Sequence, residues 1–190
     1  MNNVAQTSND IKNGSVINLD GKLWQVIKFQ HVKPGKGPAF VRTTIKDVIS
    51  GKIVDKTFNA GIKMEFETVD NSTLQFSYRD GDNLVFMDMT TFEQTMIPAS
   101  LLGDKEKYLL EGTDCIVSSH DGTPISVELP ANVTLTVTHT EPGLQGNRSN
   151  AGTKPATVET GAEIQVPLFI NEGDKVKVNT EDGSYVGREN

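Results

Sequence analysis

Cysteine occurs once in these 190 residues, as Cys115. No disulfide can form within the chain, and the composition suits a reducing compartment. The residues that hold metals are equally thin on the ground. His31, His120 and His139 stand far apart, none near a second His or Cys at ligand spacing, so no metal and no cofactor are expected. No G-x-S-x-G, H-E-x-x-H or C-x-x-C occurs, which leaves the chain without a recognisable nucleophile–base set. Asp80, Asp82 and Asp88 cluster but lack the EF-hand pattern and read as a solvated turn. An enzyme is not expected. No apolar run approaches the roughly 20 residues that a membrane span requires, and no basic-then-apolar leader opens the sequence. A cytoplasmic protein with no membrane partner is the expectation.

What remains is a chain of modest hydrophobic content, 36%, as small barrels with much surface would have. Its net charge of −7 is unevenly spread. Residues 1–65 carry ten Lys and Arg against five Asp and Glu, a balance of +5; residues 66–128 balance at −9 and residues 129–190 at −3. One reading is a basic N-terminal module, able to meet phosphate, on a body that non-specific RNA repels. The other is mere fluctuation between modules.

Strand signals run almost throughout, which predicts an all-β fold. Ser15–Leu19 and Leu23–Val32 meet at Asp20-Gly21, and Ile53–Phe58 follows the Ser50-Gly51-Lys52 turn. With the run from Ala39 to Ile49 they suggest a small SH3-like barrel over residues 1–64. A second module, 65–129, is expected from Phe66–Val69, Thr73–Tyr78, Leu84–Met89, Glu93–Ile97, Thr113–His120 and Ile125–Leu129. Within it Pro98–Leu110 has helical character, but Gly103 in the middle favours two short turns over one helix. The third module, 130–190, opens with Val133, Leu135 and Val137 alternating with Thr134, Thr136 and Thr138, the period of a half-buried strand. About five strands in each of the last two modules fit OB-type barrels.

One loop stands out. Pro34-Gly35-Lys36-Gly37-Pro38 joins two runs rich in β-branched and aromatic residues, the mark of a hairpin with a longer than minimal turn. Proline fixes φ at each base, and the glycines let another surface come close. The lysine at its centre is either a solvated hairpin tip or a working group. A phosphate loop is excluded, since the G-x-x-x-x-G-K-[ST] spacing and the following helix are missing.

Three motifs, in order, resemble the bacterial elongation factor P family. The first is Lys33 to Phe40, KPGKGPAF, with Val41-Arg42-Thr43. The second is Tyr78-Arg79-Asp80-Gly81-Asp82, continuing to Val85-Phe86-Met87-Asp88 and Thr91-Phe92-Glu93-Gln94. The third runs Lys154-Pro155-Ala156, Glu159 to Ala162, Val166 to Ile170, Gly173-Asp174 and on to Tyr185-Val186-Gly187-Arg188. The likeness covers about residues 10–190. It implies an SH3-like (KOW-type) domain and two OB domains in an L shape that imitates tRNA. It implies a monomeric elongation factor of protein biosynthesis on the 70S ribosome, between the peptidyl and exit sites. The loop Pro34–Pro38 would reach the acceptor end of peptidyl-site tRNA, with Lys36 in the peptidyl transferase centre, and relieve stalling at consecutive prolines. Lys36 is also the position that some members modify. Lys33 and Arg42 are RNA-binding candidates on the hairpin, and Tyr185 and Arg188 candidates for the small subunit. An ordinary barrel strand is the alternative for the last two.

Two departures from the family pattern matter. Pro38 stands where members with a modified lysine often have Gln or Ala, which resembles the actinobacterial loop and implies an unmodified Lys36. Asn147 stands where many relatives have Asp, in Gly146-Asn147-Arg148, a loop thought to touch the exit-site mRNA codon. Asn keeps the hydrogen-bonding capacity and loses the charge. Rival readings are a lysine-bearing carrier domain, disfavoured by the Gly and Pro flanks and two further barrels, and an OB-fold single-strand binder, disfavoured by acidic second and third modules.

Overall fold

The third strand alternates buried and exposed positions, and that alternation sets the first sheet. The structure, a computed structural model, describes residues 6–143 and 152–189. Strands β1 (Val16–Leu19), β2 (Lys22–Val32), β3 (Phe40–Asp47), β4 (Ile53–Asn59) and β5 (Glu65–Glu67) form an antiparallel sheet ordered β4-β3-β2-β1-β5. Val41, Thr43 and Ile45 point inward, onto Ile11, Ile17, Val26, Phe58 and Met64. The pairing places Ile17 opposite Phe66, so the first sheet extends to Glu67. This last strand lies just beyond residue 64, the expected end of the first module, and Phe66 is hydrogen-bonded into the first sheet.

The polar N-terminal segment is also part of this unit. Thr7 and Asp10 close a capping box around a 3-10 turn at Ser8–Asp10, and buried Ser8 donates to the Asn59 carbonyl at 2.6 Å. Two reciprocal bonds satisfy the amides that a turn start would leave unpaired.

Strands β6 (Asp70–Asp80), β7 (Asn83–Met87), β8 (Gln94–Pro98), β9 (Asp114–His120) and β10 (Thr123–Glu128) make a second sheet, ordered β10-β9-β6-β7-β8. Between β8 and β9 lie two 3-10 segments, Ala99–Leu101 and Gly103–Tyr108, with Gly103 at φ +56°. The expected pair of short turns is what forms, because that backbone angle suits glycine and breaks helix propagation. Strands β11 (Asn132–Thr140), β12 (Thr153–Val158), β13 (Glu163–Pro167), β14 (Lys175–Asn179) and β15 (Tyr185–Glu189) form the third sheet, ordered β13-β12-β11-β14-β15.

The chain divides into two compact units. One takes in the chain up to Asn71 together with Ser118–Ser126, the β9–β10 turn with the strand ends beside it. There Ile125 is buried with Val16 and Val48, and His120 Nε2 lies 3.2 Å from Glu67 Oε2. The other holds Ser72–Val117 and the chain from Val127 on. A single buried cluster runs through this second unit, from Phe86, Leu84 and Ile97 to Leu135, Val166 and Val176. Polar contacts accompany it. Thr160 Oγ1 donates to the Lys107 carbonyl at 2.5 Å, and Lys105 pairs with Glu181. No helix among the described residues is long and apolar enough to cross a membrane.

Cys115 is buried in β9, and burial, with Asp114 adding to it, pushes its thiol up to about 12. The thiolate is the reactive form, so Cys115 is expected to resist iodoacetamide at pH 8 until the protein is unfolded in urea. Because the folded value lies above the ordinary one, this thiol's contribution to stability is complete below about pH 9. It is lost as pH rises from there toward 12, where only the unfolded chain readily gives up the proton. Urea midpoints measured from pH 8 to 10.5 should fall for the native chain and fall less for Cys115→Ala.

Candidate functional site

The lysine loop is the tip of the β2–β3 hairpin. Eleven-residue β2 spans roughly 33 Å at the usual strand rise. Its register with β3 shifts at Ile27, between the Val26↔Ile45 and Lys28↔Thr44 pairs. The extra residue is a bulge, which bends the strand and restores an inward direction to Phe29. From there the two faces separate cleanly. Thr43, on the inner face, is buried and donates to the Lys56 carbonyl at 2.7 Å. Arg42 faces outward, opposite Gln30 and Thr57, with its guanidinium 5.4 Å from the Phe40 ring centroid.

The ladder ends at Val32↔Phe40. Pro34 and Pro38 have no amide proton to extend it. The residues between, Lys33 to Pro38, are all exposed, and beyond them Ala60 donates to the Ala39 carbonyl at 3.0 Å. Gly37 alone in the loop has a left-handed backbone, φ +100°. Gly35 does not, and a Cβ placed on it would meet nothing within 4 Å. The two glycines therefore differ. Gly37→Ala should cost about 1 kcal/mol of stability through backbone strain, whereas Gly35→Ala should stay within about 0.5 kcal/mol of the parent. Urea unfolding of both variants measures this. Nothing among the described residues requires Gly35 to be small.

Lys36 takes part in no ion pair and no side-chain hydrogen bond among the described residues. Nor do Lys33 and Arg42. The sequence shows why. Between Asp20 and Asp47 there is no acidic residue, while Lys22, Lys28, Lys33, Lys36, Arg42 and Lys46 all fall there. Lys28 and Lys46 were not singled out from the sequence. Alternation puts them on the same outer face as Arg42, opposite Thr44 and Gln25. The unbroken run without Asp or Glu was the signal that could have found them. Such a surface can meet a polyanion along its length and insert one unneutralised cation at its tip.

The tail candidates lie elsewhere, on β15 of the second unit. Tyr185, opposite Val178, is half-buried and packs on that unit's core. Arg188 is half-exposed, opposite Val176, with Nη2 3.8 Å from Asp174 Oδ1. Lys33, Pro34, Gly35, Lys36, Gly37, Pro38 and Arg42 thus share one hairpin, and Tyr185 and Arg188 share another strand. Gly146, Asn147 and Arg148 lie outside the described residues. Among the described residues no group of three His, Cys, Asp or Glu could hold a metal.

Comparison with known proteins covers nearly the whole chain. Three family models match in order: the elongation factor P KOW-like domain at residues 7–64, its OB domain at 69–127 and its C-terminal domain at 133–188. Elongation factor P of Bifidobacterium animalis subsp. lactis is 84% identical over 187 residues, covering 98% of this chain and 100% of that protein. Elongation factor P of Mycobacterium avium is 64% identical, over 95% of this chain and 97% of its own. That of Acidothermus cellulolyticus is 61% identical, over 97% and 98%. Among solved structures, a eukaryotic translation initiation factor 5A from Methanococcus jannaschii aligns with a TM-score of 0.49 at 20% identity. It covers 66% of this chain and 92% of its own, and is too distant to bear on function.

Proposed function

Because the chain belongs to the elongation factor P family, and so is a translation elongation factor, we propose that its hairpin works at the peptidyl transferase centre. On this reading the protein binds the ribosome between the peptidyl and exit sites. The acid-free face of β2 and β3 follows RNA, and Lys36 meets the acceptor end of peptidyl-tRNA. One observation carries the proposal. The tip lysine is exposed, unpaired among the described residues, and set in a stretch, residues 21–46, with no acidic residue to neutralise it.

Proline is a poor partner in peptide-bond formation because its ring restrains the backbone and the attacking amine. Holding peptidyl-tRNA in a reactive geometry recovers proximity and orientation, which reach about 7 kcal/mol or more in the most favourable systems. Lys36 performs no bond chemistry in this mechanism. It positions a phosphate-bearing substrate with a flexible stem and a compact charge. Prolines at both ends of the tip restrict the free loop, which lowers the entropy lost when it is ordered on binding. Stiffness of this kind stands in for a longer, modified side chain, so Lys36 acts unmodified. The protein isolated from its native source should then show the intact mass of its sequence at that residue. An added group on Lys36 would contradict this part.

Asn147, with Gly146 and Arg148, is proposed to contact exit-site mRNA, and Arg188 and Tyr185 the small subunit. The overall reading is tested by a purified translation system making a reporter with three consecutive prolines. Adding the protein should speed the appearance of full-length product on that reporter and not on one lacking prolines. Equal stimulation of both, or of neither, rejects it.

A further inference from the structure

The β7–β8 hairpin reverses the charge logic of the lysine hairpin. From Asp80 to Asp104 there is no Lys, Arg or His, whereas Asp80, Asp82, Asp88 and Glu93 all fall in that stretch. Its outer face is apolar. Tyr78 pairs across Val85 to Met96, placing all three side chains on one side of the sheet, and Met87 follows Val85 on that side. Tyr78 is 51% exposed and Met96 54%, flanking a buried Val85. The turn beyond adds Met89 at 51% and Phe92 at 66%. Exposed apolar groups gathered in this way mark a contact surface more often than chance.

Phe92 supplies an independent reason. Its φ is +61°, the left-handed region, which a bulky side chain occupies only under constraint. The turn enforces it. Asp88 Oδ1 accepts from the amides of Thr90 at 2.7 Å and Thr91 at 3.2 Å, and the Phe92 amide donates to the Asp88 carbonyl at 2.7 Å. Glycine or asparagine would fit this backbone without cost. A phenylalanine held here with most of its surface in water gains little from the fold.

We infer that the β7–β8 hairpin docks a positively charged protein surface carrying an apolar socket, with Phe92 as the anchor and Tyr78, Met89 and Met96 around it. The acidic rim decides the class of partner. Arg79, beside these carboxylates, is taken up by the Gly81 carbonyl at 2.9 Å and by Glu106, so the four carboxylates keep a net negative charge that repels a nucleic-acid backbone and attracts a basic protein. An aromatic plug inside a charged rim is the usual form of an interface hot spot. The inference rests on the proposed ribosomal site of action, where the partner is a basic ribosomal protein. It adds a second, protein-directed contact to the RNA-directed one at Lys36.

The test uses the full-length chain on purified 70S ribosomes, with a photoreactive phenylalanine at position 92 or a photoreactive lysine at position 36. Position 92 should crosslink to ribosomal protein. If position 36 crosslinks while position 92 gives ribosomal RNA or nothing, this inference is overturned and the proposed function stands. Silence at both positions overturns both. Phe92→Gly gives a second reading. It relieves the backbone constraint, so its melting temperature should equal or exceed the parent's, while ribosome affinity falls roughly tenfold or more. A purely structural Phe92 would instead lower the melting temperature and leave affinity unchanged.

Discussion

Lys36→Ala is expected to remove nearly all of the protein's stimulation of proline–proline bond formation while leaving its fold intact. Single-turnover transfer onto proline should slow by about 10- to 100-fold relative to the native factor, equivalent to about 1.4–2.7 kcal/mol of activation free energy. The stability change should lie within about 0.5 kcal/mol, because the side chain is exposed and has no intramolecular partner among the described residues. Ribosome affinity should fall much less than rate, since five other cations of the same acid-free stretch remain. Lys36→Arg keeps the charge on a broader, planar head and should recover only part of the rate. Rapid-quench kinetics on a dipeptidyl-prolyl substrate, beside equilibrium binding, separates the two quantities. Equal losses of rate and affinity would make Lys36 a docking residue instead.

The largest stability effect is expected at Leu135. It sits on β11, the middle strand of the third sheet, fully buried between Val133 and Val137 of the same face. Leu135→Ala leaves a cavity in a cluster that also holds Phe86 and Ile97 of the second sheet, and large-to-small changes of this kind cost about 2–5 kcal/mol. The loss should be confined by unit. The single tryptophan, Trp24, packs on the core of the first unit, so its fluorescence reports that unit, while far-UV circular dichroism reports the whole chain. In urea the dichroism transition of the variant should move to clearly lower concentration, with the tryptophan transition shifting far less. Coincident shifts of both would mean that the chain unfolds as one cooperative body.

The lysine hairpin was legible because its signals are local. Proline, glycine and β-branched residues punctuate it, and Val133-Leu135-Val137 declares its strand through simple alternation. The two turns around Gly103 were readable for the same reason. Elements that depend on distant partners were not. Glu65–Glu67 is too short to carry a pattern, and only its pairing with β1 assigns it to the first sheet. Ser8 looks like part of a polar tail until Asn59 accepts its hydroxyl. The bulge at Ile27 breaks alternation in a way that sequence periodicity cannot distinguish from an exposed isoleucine. The constraint at Phe92 is set by hydrogen bonds to Asp88, and a phenylalanine in a Thr-Thr-Phe-Glu run gives no hint of a left-handed backbone. The family likeness singled out the tip lysine and the tail residues as candidates. The absence of any acid from Gly21 to Lys46 gives the physical reason the first of these has no ion-pair partner among the described residues.

The most direct measurement is where residue 36 lies on the working ribosome. A photoreactive lysine analogue at that position, irradiated in complexes stalled before the second of two prolines, should crosslink to the 3′-terminal nucleotides of peptidyl-site tRNA and to large-subunit RNA beside them. Crosslinks confined to small-subunit RNA or to ribosomal proteins would contradict the account, as would a complex in which residue 36 reaches no RNA.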